Sequence, residues 1–490
     1  MKYTSTRNSK IKVSSAEAIS KGLSADGGLF LPTEIPIVTK EELNALKNKT
    51  YIERAKFVLG KFLTDFTEDE LDYCCKGAYT GSFDNELPAP VKKLNNTAYI
   101  LELWHGPTCA FKDLALQILP YLLTTSVKKL GNKNETVILV ATSGDTGKAA
   151  LEGFKDVEGT SIMVFYPTDG VSKMQKLQMS TQEGKNVFVC AIKGNFDDAQ
   201  TGVKKIFGNK ELEKLLETNN KQFSSANSIN WGRLVPQIVY YISAFIDMGC
   251  PEKFNVVVPT GNFGNILAAF YAKEMGLPIN KLICASNANN VLTDFINTGI
   301  YDKNRHFYTT SSPSMDILIS SNLERLLYLL SGYNDELIKQ WQTELFNGGK
   351  YEVTKEVKDK IKKDFFGGYC NDEQTFKTIK ETFEKYGYLC DTHTAVAVNV
   401  YNGYVEKTGD ETPTVIASTA SPYKFAPNVI KALGIKEVDD DFKQLDVLCE
   451  KSKMPVPKSI LELKNKEVRF KKVLEKDDMQ KAVKDFLNIK

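Results

Sequence analysis

The feature that most constrains this chain is a repeated alternation between short β-branched apolar runs and longer segments of helical period. The apolar runs are 97–103, 136–142, 161–167, 186–192, 254–260, 281–286 and 414–419. The helical segments between them include 112–130, 199–207, 232–248 and 264–275. Runs without polar alternation indicate strands that are buried on both faces of a parallel sheet. The alternation therefore predicts an α/β fold in which helices cover a mostly parallel sheet.

The chain is also too long for one compact core, since it has 490 residues. The proline-punctuated stretch 87–94 has the character of a connector. We predict an N-terminal accessory domain over 1–95, a smaller α/β domain over 96–245 and a larger α/β domain over 246–490. Within the last, the charged helical pattern from about 318 to 391 indicates an insertion or a helical layer.

Composition excludes several classes of protein. The formal net charge is only +2 with acids and bases interspersed, which argues against nucleic acid or an anionic membrane as the main partner. Nine cysteines without C-x-x-C spacing indicate reduced thiols, and three histidines without ligand spacing give no zinc site. With no run of eighteen apolar residues and no apolar segment near the N-terminus, we expect a cytoplasmic protein. We expect it to be either a monomer or a homodimer.

Lys112 is the first candidate for chemistry. It follows a Gly-Pro turn in the stretch HGPTCAFKDLALQ and stands at the start of an apolar helix. The positive end of a helix dipole disfavours a second positive charge, and a neutral lysine amine is a nucleophile. An ordinary surface lysine at the helix exterior is the alternative.

Three loops follow predicted strands, where open α/β sheets bind their ligands. They are 141–150, 259–270 and 418–425. In the second, GNFGN opens a helix, and such glycine-rich turns present unpaired N–H groups to phosphate. The spacing matches neither the mononucleotide nor the dinucleotide glycine motif. A tight turn without a ligand is the alternative.

The loop SGDTG at 143–147 offers hydroxyl and N–H groups that could hold a carboxylate. Ser, Asp and Thr are also favoured at helix N-caps, and taken alone this loop is better explained as a cap.

A nucleophilic lysine, a phosphate loop and a carboxylate-binding turn together suit pyridoxal 5'-phosphate, which needs an imine-forming lysine and an anion site. FKD, TSGDTG and PTGNFGN, in this order, resemble the tryptophan synthase β group of pyridoxal-phosphate enzymes, known as fold type II. Within that group the chain is similar to threonine synthases. The supporting stretches are STRN, GLSADGGLFLP, WHGPTCAFKD, SKMQKLQM, GNFDDAQ, SANSINWGRL and STASPYKF, and they span Ser5 to Phe425. The resemblance implies two open, mostly parallel sheets flanked by helices.

The resemblance also implies a role for each matching residue. Lys112 forms the imine with the cofactor and serves as general base, while Thr419, or else Ser418, meets the pyridine nitrogen. Asp145 lies at the ring hydroxyl, where many relatives carry Asn. The cofactor phosphate is held by Gly261, Asn262, Phe263, Gly264 and Asn265, and the substrate carboxylate by Ser143, Gly144 and Thr146.

Threonine synthases act on O-phospho-L-homoserine, so the resemblance requires a second phosphate site. Asn227, Ser228 and Arg233 supply amide, hydroxyl and guanidinium donors, and Lys173 is a weaker candidate. A surface salt bridge is the alternative role for Arg233. His105 could orient a neighbouring group, although a packed structural histidine fits its position better.

The activity implied is conversion of O-phospho-L-homoserine and water to L-threonine and phosphate, by γ-elimination and then hydration at Cβ. A serine or threonine dehydratase or a phospho-lyase of the same fold group is the alternative within enzymes. A homologue without activity that serves as a binding protein is the alternative from another class.

Overall fold

The computed structural model describes residues 1–84, 87–142, 144–168, 171, 173–436 and 438–489. The strands are β1 Tyr3–Ser5, β2 Asn8–Val13, β3 Phe30–Pro32, β4 Val91–Lys93, β5 Ala98–Glu102, β6 Glu135–Ala141, β7 Thr160–Pro167, β8 Val187–Ile192, β9 Lys221–Ser224, β10 Phe254–Pro259, β11 Ile279–Ser286, β12 Ile300–Asp302, β13 Lys350–Glu352, β14 Phe365–Tyr369, β15 Thr414–Ser418 and β16 Val473–Leu474. The helices are α1 Ser15–Lys21, α2 Lys40–Ala45, α3 Tyr51–Phe62, α4 Glu68–Tyr79, α5 Asp113–Leu116, α6 Leu119–Lys129, α7 Asp145–Phe154, α8 Lys173–Ser180, α9 Phe196–Phe207, α10 Lys210–Thr218, α11 Trp231–Asp247, α12 Gly264–Glu274, α13 Val291–Thr298, α14 Leu323–Leu330, α15 Asp335–Gly348, α16 Lys355–Asp364, α17 Asp372–Tyr386, α18 Thr392–Thr408, α19 Ala426–Ala432, α20 Asp441–Ser452, α21 Lys458–Leu461 and α22 Met479–Leu487.

The larger sheet has the strand order β14-β11-β10-β15-β5-β4. Its pairings are parallel except for β4, which adds to the edge antiparallel to β5. Strand β10 is buried along its whole length, as expected for a central strand covered on both faces. Helix α11 is almost wholly buried and packs against α3, α5 and α12, so it forms part of the core and not of the surface.

The smaller sheet has the strand order β16-β8-β7-β6-β9, and every pairing in it is parallel. Its central strand β7 is buried at all eight positions. The prediction of an α/β fold with two open, mostly parallel sheets is confirmed, because the structure contains both sheets and their helices.

Helices with well-formed ends alternate with and follow the strands of the small N-terminal sheet, β2-β1-β3. Four of them, α1 to α4, begin with a capping box in which Ser or Thr at the N-cap is paired with Glu three residues later. The charged region predicted as helical over 318–391 contains α14 to α17. It also contributes β14, which pairs with β11 at the edge of the larger sheet.

The two sheets do not follow the domain limits predicted from the sequence. Strand β5, placed in the smaller domain by the limit at residue 96, pairs with β15 of the larger sheet. Strand β16, from the C-terminal part of the chain, pairs with β8 of the smaller sheet. Parallel pairing joins strands that are distant in sequence, so a linear division of the chain cannot show it. The limits themselves stay a prediction.

In the described part of the chain, none of the helices has the length and apolar character needed to cross a bilayer. All nine cysteines are free thiols, and most of them are buried.

Candidate active site

The carboxyl ends of strands from both sheets lead into the candidate site. From the smaller sheet, β6 leads into the SGDTG loop, and β9 into the segment that precedes α11. From the larger sheet, β10 leads into the GNFGN loop, β15 into Thr419, and β5 into the loop that carries Lys112. Loops beyond the carboxyl ends of parallel strands are the usual ligand-binding places of such folds.

Lys112 is enclosed by the protein and lies close to a carboxylate. Its side chain is 12% exposed, and its Nζ lies 4.0 Å from Oδ2 of Asp145. In the part of the chain that the structure describes, this Nζ makes no hydrogen bond, and its other recorded contact is the Phe111 ring, 5.0 Å away. Burial lowers the pKa of Lys112, and the charges of Lys424 and Arg233 lower it further, against the opposite effect of the carboxylates. Burial is therefore the largest cause of the lowered pKa of Lys112.

The turn before Lys112 is held by a buried carboxylate. Asp113 accepts hydrogen bonds from the N–H of Thr108 at 2.8 Å and from its hydroxyl at 2.6 Å. A side chain at Gly106 would meet Asp113 at 2.5 Å, so the close approach requires glycine. Burial raises the pKa of Asp113 to about 6, against these hydrogen bonds. The Gly-Pro turn and the FKD motif thus form one structural unit.

The GNFGN loop presents a set of donors without acceptors. The backbone N–H groups of 261–265 donate to no acceptor in the described residues. Phe263, the N-cap of α12, has a φ of 65°, a left-handed conformation that costs energy for a bulky residue. Such strain is typical of a ligand-binding turn, and the free N–H groups at a helix start favour an anion.

Asn265 adds a side-chain donor to this loop. Its Oδ1 accepts a hydrogen bond from the hydroxyl of Tyr241, whereas its Nδ2 is buried and has no partner among the described residues. A buried amide that lacks a partner costs stability unless a ligand satisfies it. At Gly261, an added Cβ would lie 2.8 Å from the carbonyl oxygen of Ser314, so the loop packs tightly there. These unsatisfied donors fit a phosphate group.

The SGDTG loop is only partly described, because Ser143 lies outside the described residues. Gly144 has a φ of 154°, and a Cβ on it would meet Gln175 at 2.3 Å. The hydroxyl of Thr142 accepts the N–H groups of Gly144 and Gly147, at 3.0 Å each, and so takes the capping role expected of this loop. Thr146 is half-buried in the first turn of α7. Gly144 and Thr146 therefore lie at the start of α7, and their binding of a carboxylate stays a prediction.

Asp145 is paired with a lysine that the sequence did not single out. Its Oδ1 lies 2.8 Å from Nζ of Lys424 and accepts a hydrogen bond of 3.1 Å from Gln175. Ser314 Oγ lies 3.5 Å from its Oδ2. Burial alone would raise the pKa of Asp145, but the charges of Lys424 and Lys112 hold it well below its usual range. Asp145 is therefore a buried, ionised carboxylate between two lysines.

Of the two hydroxyl candidates for the pyridine nitrogen, Ser418 is already engaged. Its Oγ accepts a hydrogen bond from the Trp104 indole at 3.0 Å and shares another with Thr394 at 2.9 Å. Thr419 is also buried, and its backbone oxygen accepts the N–H of Phe111. The hydroxyl of Thr419 has no recorded partner in the described residues, which leaves it the better candidate.

Arg233 is a buried guanidinium, contrary to the surface salt bridge considered as its alternative role. It is 3% exposed and pairs with no carboxylate among the described residues. Nη1 donates to the carbonyl oxygen of Ala226 at 2.6 Å, and Nε is buried without a partner. Burial lowers the pKa of Arg233 to about 10. A buried cation without a counter-ion is costly, and an anionic ligand would offset that cost.

The GNFGN loop is the first donor cluster of the site, and Arg233 with Asn227 and Ser228 is the second. The other two residues of the second cluster are more open than Arg233. Asn227 is exposed and Ser228 is half-buried, in the loop just before α11. Lys173, the weaker candidate, is an exposed residue at the start of α8. His105 contacts Glu102 at 2.9 Å and stacks on Trp104 with ring centroids 4.2 Å apart, as a packed structural histidine would.

Asn322 connects the two donor clusters, a link that no motif indicated. Its N–H donates to the carbonyl oxygen of Asn262 at 3.1 Å, and its Nδ2 donates to that of Ser228 at 3.3 Å. Arg325, fully buried, donates to Asn322 and to the carbonyl oxygen of Ile229. No sequence motif indicated this link, because Asn322 and Arg325 come from the charged helical region, far away in the sequence from the loops that they contact.

The family to which the chain belongs follows from comparison with known proteins. Residues 84–351 match the family described as pyridoxal-phosphate dependent enzyme, so the chain is a member of that family, and the predicted enzyme class and cofactor are confirmed. Residues 2–79 match the threonine synthase N terminus and residues 394–487 the threonine synthase C-terminal family. The chain belongs to the threonine synthase family, as the sequence motifs predicted.

Individual relatives agree with this assignment. Threonine synthase of Schizosaccharomyces pombe is 38% identical, with 88% of this chain and 89% of that protein covered. Threonine synthase-like 1 of Homo sapiens is 41% identical over 87% of this chain, which spans 58% of the length of that protein. The crystal structure of PLP-bound threonine synthase from Brucella melitensis aligns with a TM-score of 0.89 and 36% identity, covering 99% of this chain and 98% of that one.

Proposed function

We propose that this protein is a threonine synthase that converts O-phospho-L-homoserine and water to L-threonine and phosphate. The observation that carries the proposal is the buried Arg233 guanidinium, which lacks a carboxylate partner in the described residues and lowers the pKa of Lys112. A second anion site near the reactive lysine suits a substrate that carries its own phosphate. The family relationship to threonine synthases supports the same conclusion.

The residues of the first donor cluster fit the phosphate of pyridoxal phosphate. The N–H groups of 261–265 and the Asn265 amide would hold that phosphate, and Lys112 would bond to the aldehyde. Thr419 would face the ring nitrogen, and Asp145 the ring hydroxyl. When bound, this cofactor supplies an electron sink that allows protons to leave carbon atoms of the substrate.

Two anchors would fix the substrate relative to Lys112. Arg233, with Asn227 and Ser228, would bind the substrate phosphate, because a guanidinium donates two parallel hydrogen bonds to such a group. At the start of α7 the Thr142 hydroxyl already accepts the N–H of Gly144, so Thr146 would supply the donors to the substrate carboxylate and Gly144 would allow its close approach. Binding the substrate at both its phosphate and its carboxylate holds the carbon chain in one orientation relative to Lys112.

Lys112 would move the proton at Cα of the bound substrate. Its lowered pKa makes the neutral amine available nearer to physiological pH, as a general base requires. Once phosphate has left Cγ, Arg233 would retain it beside Cβ. There the phosphate could accept a proton from the attacking water, a step that a site without the second cluster could not arrange.

The direct test is to incubate the purified chain, loaded with pyridoxal phosphate, with O-phospho-L-homoserine. We expect threonine and inorganic phosphate in equal amounts. A phospho-lyase of the same fold group would also release phosphate from this substrate, but with 2-ketobutyrate and ammonia in place of threonine. A protein without activity would release none of these products, and either outcome would refute the synthase proposal.

We also propose that the enzyme works in the cytoplasm and that one chain holds a complete site. Its nine free thiols suit a reducing compartment. Both donor clusters and Lys112 come from the same chain, so either a monomer or a homodimer would be active. Fractionation of cells, and turnover measured on the size-separated protein, test these two points.

A further inference from the structure

Lys424 is a buried lysine to which neither the sequence motifs nor the family matches give a role. It lies in the short turn after β15, and its side chain is 1% exposed. Its Nζ lies 2.8 Å from Asp145 Oδ1 and donates to the carbonyl oxygen of Thr108, also at 2.8 Å. Two short contacts fix this amine in place, one of them on the turn that carries Lys112.

Asp145 therefore has two lysine neighbours at different distances. Lys424 is in hydrogen-bond contact, whereas Lys112 stays 4.0 Å away. The oxygen that Lys424 engages also accepts the amide of Gln175, so both of these donors draw the carboxylate to one side. The remaining oxygen, Oδ2, accepts a long hydrogen bond of 3.5 Å from the Ser314 hydroxyl and is the oxygen that lies 4.0 Å from the Lys112 Nζ.

From this geometry we propose that Lys424 is a positioning residue: it takes the Asp145 carboxylate as its own partner and so keeps the Lys112 amine free to react with the cofactor. Without Lys424, Asp145 would turn to Lys112 as the nearest cation. A direct ion pair would then hold Lys112 protonated, and a protonated amine is not a nucleophile.

The other charges around Lys112 do not replace this function. Asp113 and Asp145 favour the protonated amine, while Lys424 and Arg233 disfavour it. Both carboxylate oxygens of Asp113 accept hydrogen bonds from Thr108, so Asp113 is not free to pair with Lys112 or Lys424. Loss of Lys424 would remove one nearby positive charge and release one nearby negative charge. Both changes favour the protonated form of Lys112.

The inference rests on the proposed role of Lys112 as the residue that bonds to the cofactor, and its test needs no substrate. The full chain is freed of cofactor with hydroxylamine, and the rate at which visible absorbance appears on adding pyridoxal phosphate is measured from about pH 6 to about pH 10. This rate follows the neutral fraction of Lys112. In Lys424→Met, we expect the pH at which this rate is half-maximal, the midpoint, to rise by about one unit or more. Uptake of the cofactor near neutral pH would then be about tenfold slower.

A matched control separates this effect from simple loss of a buried ion pair. Lys148 is a buried lysine that pairs with the half-buried Glu152 at 2.8 Å, in helix α7. Lys148→Met removes a comparable contact without touching Asp145, and we expect the midpoint of Lys112 to stay close to that of the unmodified protein. In an Asp145→Asn background, Lys424→Met should shift the midpoint much less, because no carboxylate is left to turn to Lys112.

The proposal is overturned if Lys424→Met leaves the midpoint unchanged, or if the shift is equally large with Asp145→Asn. Should Lys424→Met fail to fold, Lys424→Gln takes its place with the same expected upward shift, since its amide carries no charge to hold the Asp145 carboxylate. Absence of absorbance in the unmodified protein would refute the proposed function itself, whereas normal uptake with an unshifted variant would refute only the role of Lys424.

Discussion

The two donor regions of the site bind anions by different means. In the GNFGN loop the donors without an acceptor among the described residues are backbone N–H groups and side-chain amides such as that of Asn265, and none of them carries a formal charge. At the start of α11 the principal free donor is the Arg233 guanidinium. Asn322 donates to both regions and so fixes one relative to the other.

This difference suits two phosphates with different tasks. A cofactor phosphate stays bound through many turnovers, and several oriented neutral donors can hold it without a charge that would disturb Lys112. A substrate phosphate must arrive, leave Cγ and depart, and a guanidinium attracts it while lowering the pKa of Lys112. The charged region therefore acts on both binding and reactivity, and the neutral region acts on binding alone.

The largest effect is expected at Lys112, on which both regions converge. Lys112→Ala should lower kcat by at least about a thousandfold, because the general base and the cofactor bond are lost together. The fold should persist, since the Nζ has no hydrogen bond among the described residues. Thermal melting and product assays check these two expectations. Near-normal threonine formation would show that Lys112 is neither the general base nor the residue that bonds to the cofactor.

Arg233→Met should weaken the charged region alone. A charge-assisted bidentate contact is worth about 2–3 kcal/mol, so substrate affinity should fall about 30- to 200-fold. Affinity for pyridoxal phosphate, titrated by absorbance, should change little. Equal loss of both affinities would mean that Arg233 serves the structure or the other phosphate. Arg233→Lys offers the matched variant, with the charge kept but the planar fork lost.

Asn265→Ala should weaken the neutral region alone. Removal of one amide hydrogen bond to a phosphate costs about 1–2 kcal/mol, so cofactor affinity should fall about 5- to 30-fold. Inhibition of turnover by inorganic phosphate, which reports on the Arg233 region, should stay as in the unmodified enzyme. A parallel loss in phosphate inhibition would show that the two regions are not separate sites.

The smallest effect is a pH shift that distinguishes the two regions. Burial lowers the pKa of Lys112 below the value of about 10.4 of a free lysine, and Arg233 lowers it further. The rate of cofactor bonding should therefore rise with pH and reach its midpoint below that value. Arg233→Met should move the midpoint upward by a few tenths of a unit, and Asn265→Ala should not. Equal midpoints in the two variants would show that Arg233 does not reach Lys112.

Much of this arrangement could be predicted from the sequence. Continuous apolar runs indicated β6, β7, β10 and β15 almost to the residue, because strands buried on both faces leave an unbroken pattern. The pattern over 112–130 predicted one helix where the structure has α5 and α6, and a Pro in the first turn of α6 accounts for the break. Glycine-rich stretches indicated the ligand-binding loops, because tight turns of this kind need backbone conformations that few residues other than glycine adopt.

What the sequence could not show is which distant residues meet. Lys424 was part of a recognised motif, yet its partner Asp145 lies in a loop of the other sheet, and no spacing joins them. The same holds for Asn322 and Arg325, whose hydrogen bonds to distant segments are to backbone carbonyl oxygens and so leave no complementary side chain to recognise. The edge pairing of β16 is likewise set by tertiary packing.

The central claim is that the charged region keeps the departed phosphate beside Cβ and so makes the enzyme a synthase. Turnover of O-phospho-L-homoserine in water enriched in heavy oxygen tests it most directly. We predict one heavy oxygen in the threonine hydroxyl, unlabelled carboxylate, and only traces of ammonia. Release of 2-ketobutyrate and ammonia as the main products, or threonine whose hydroxyl carries no label, would contradict the account.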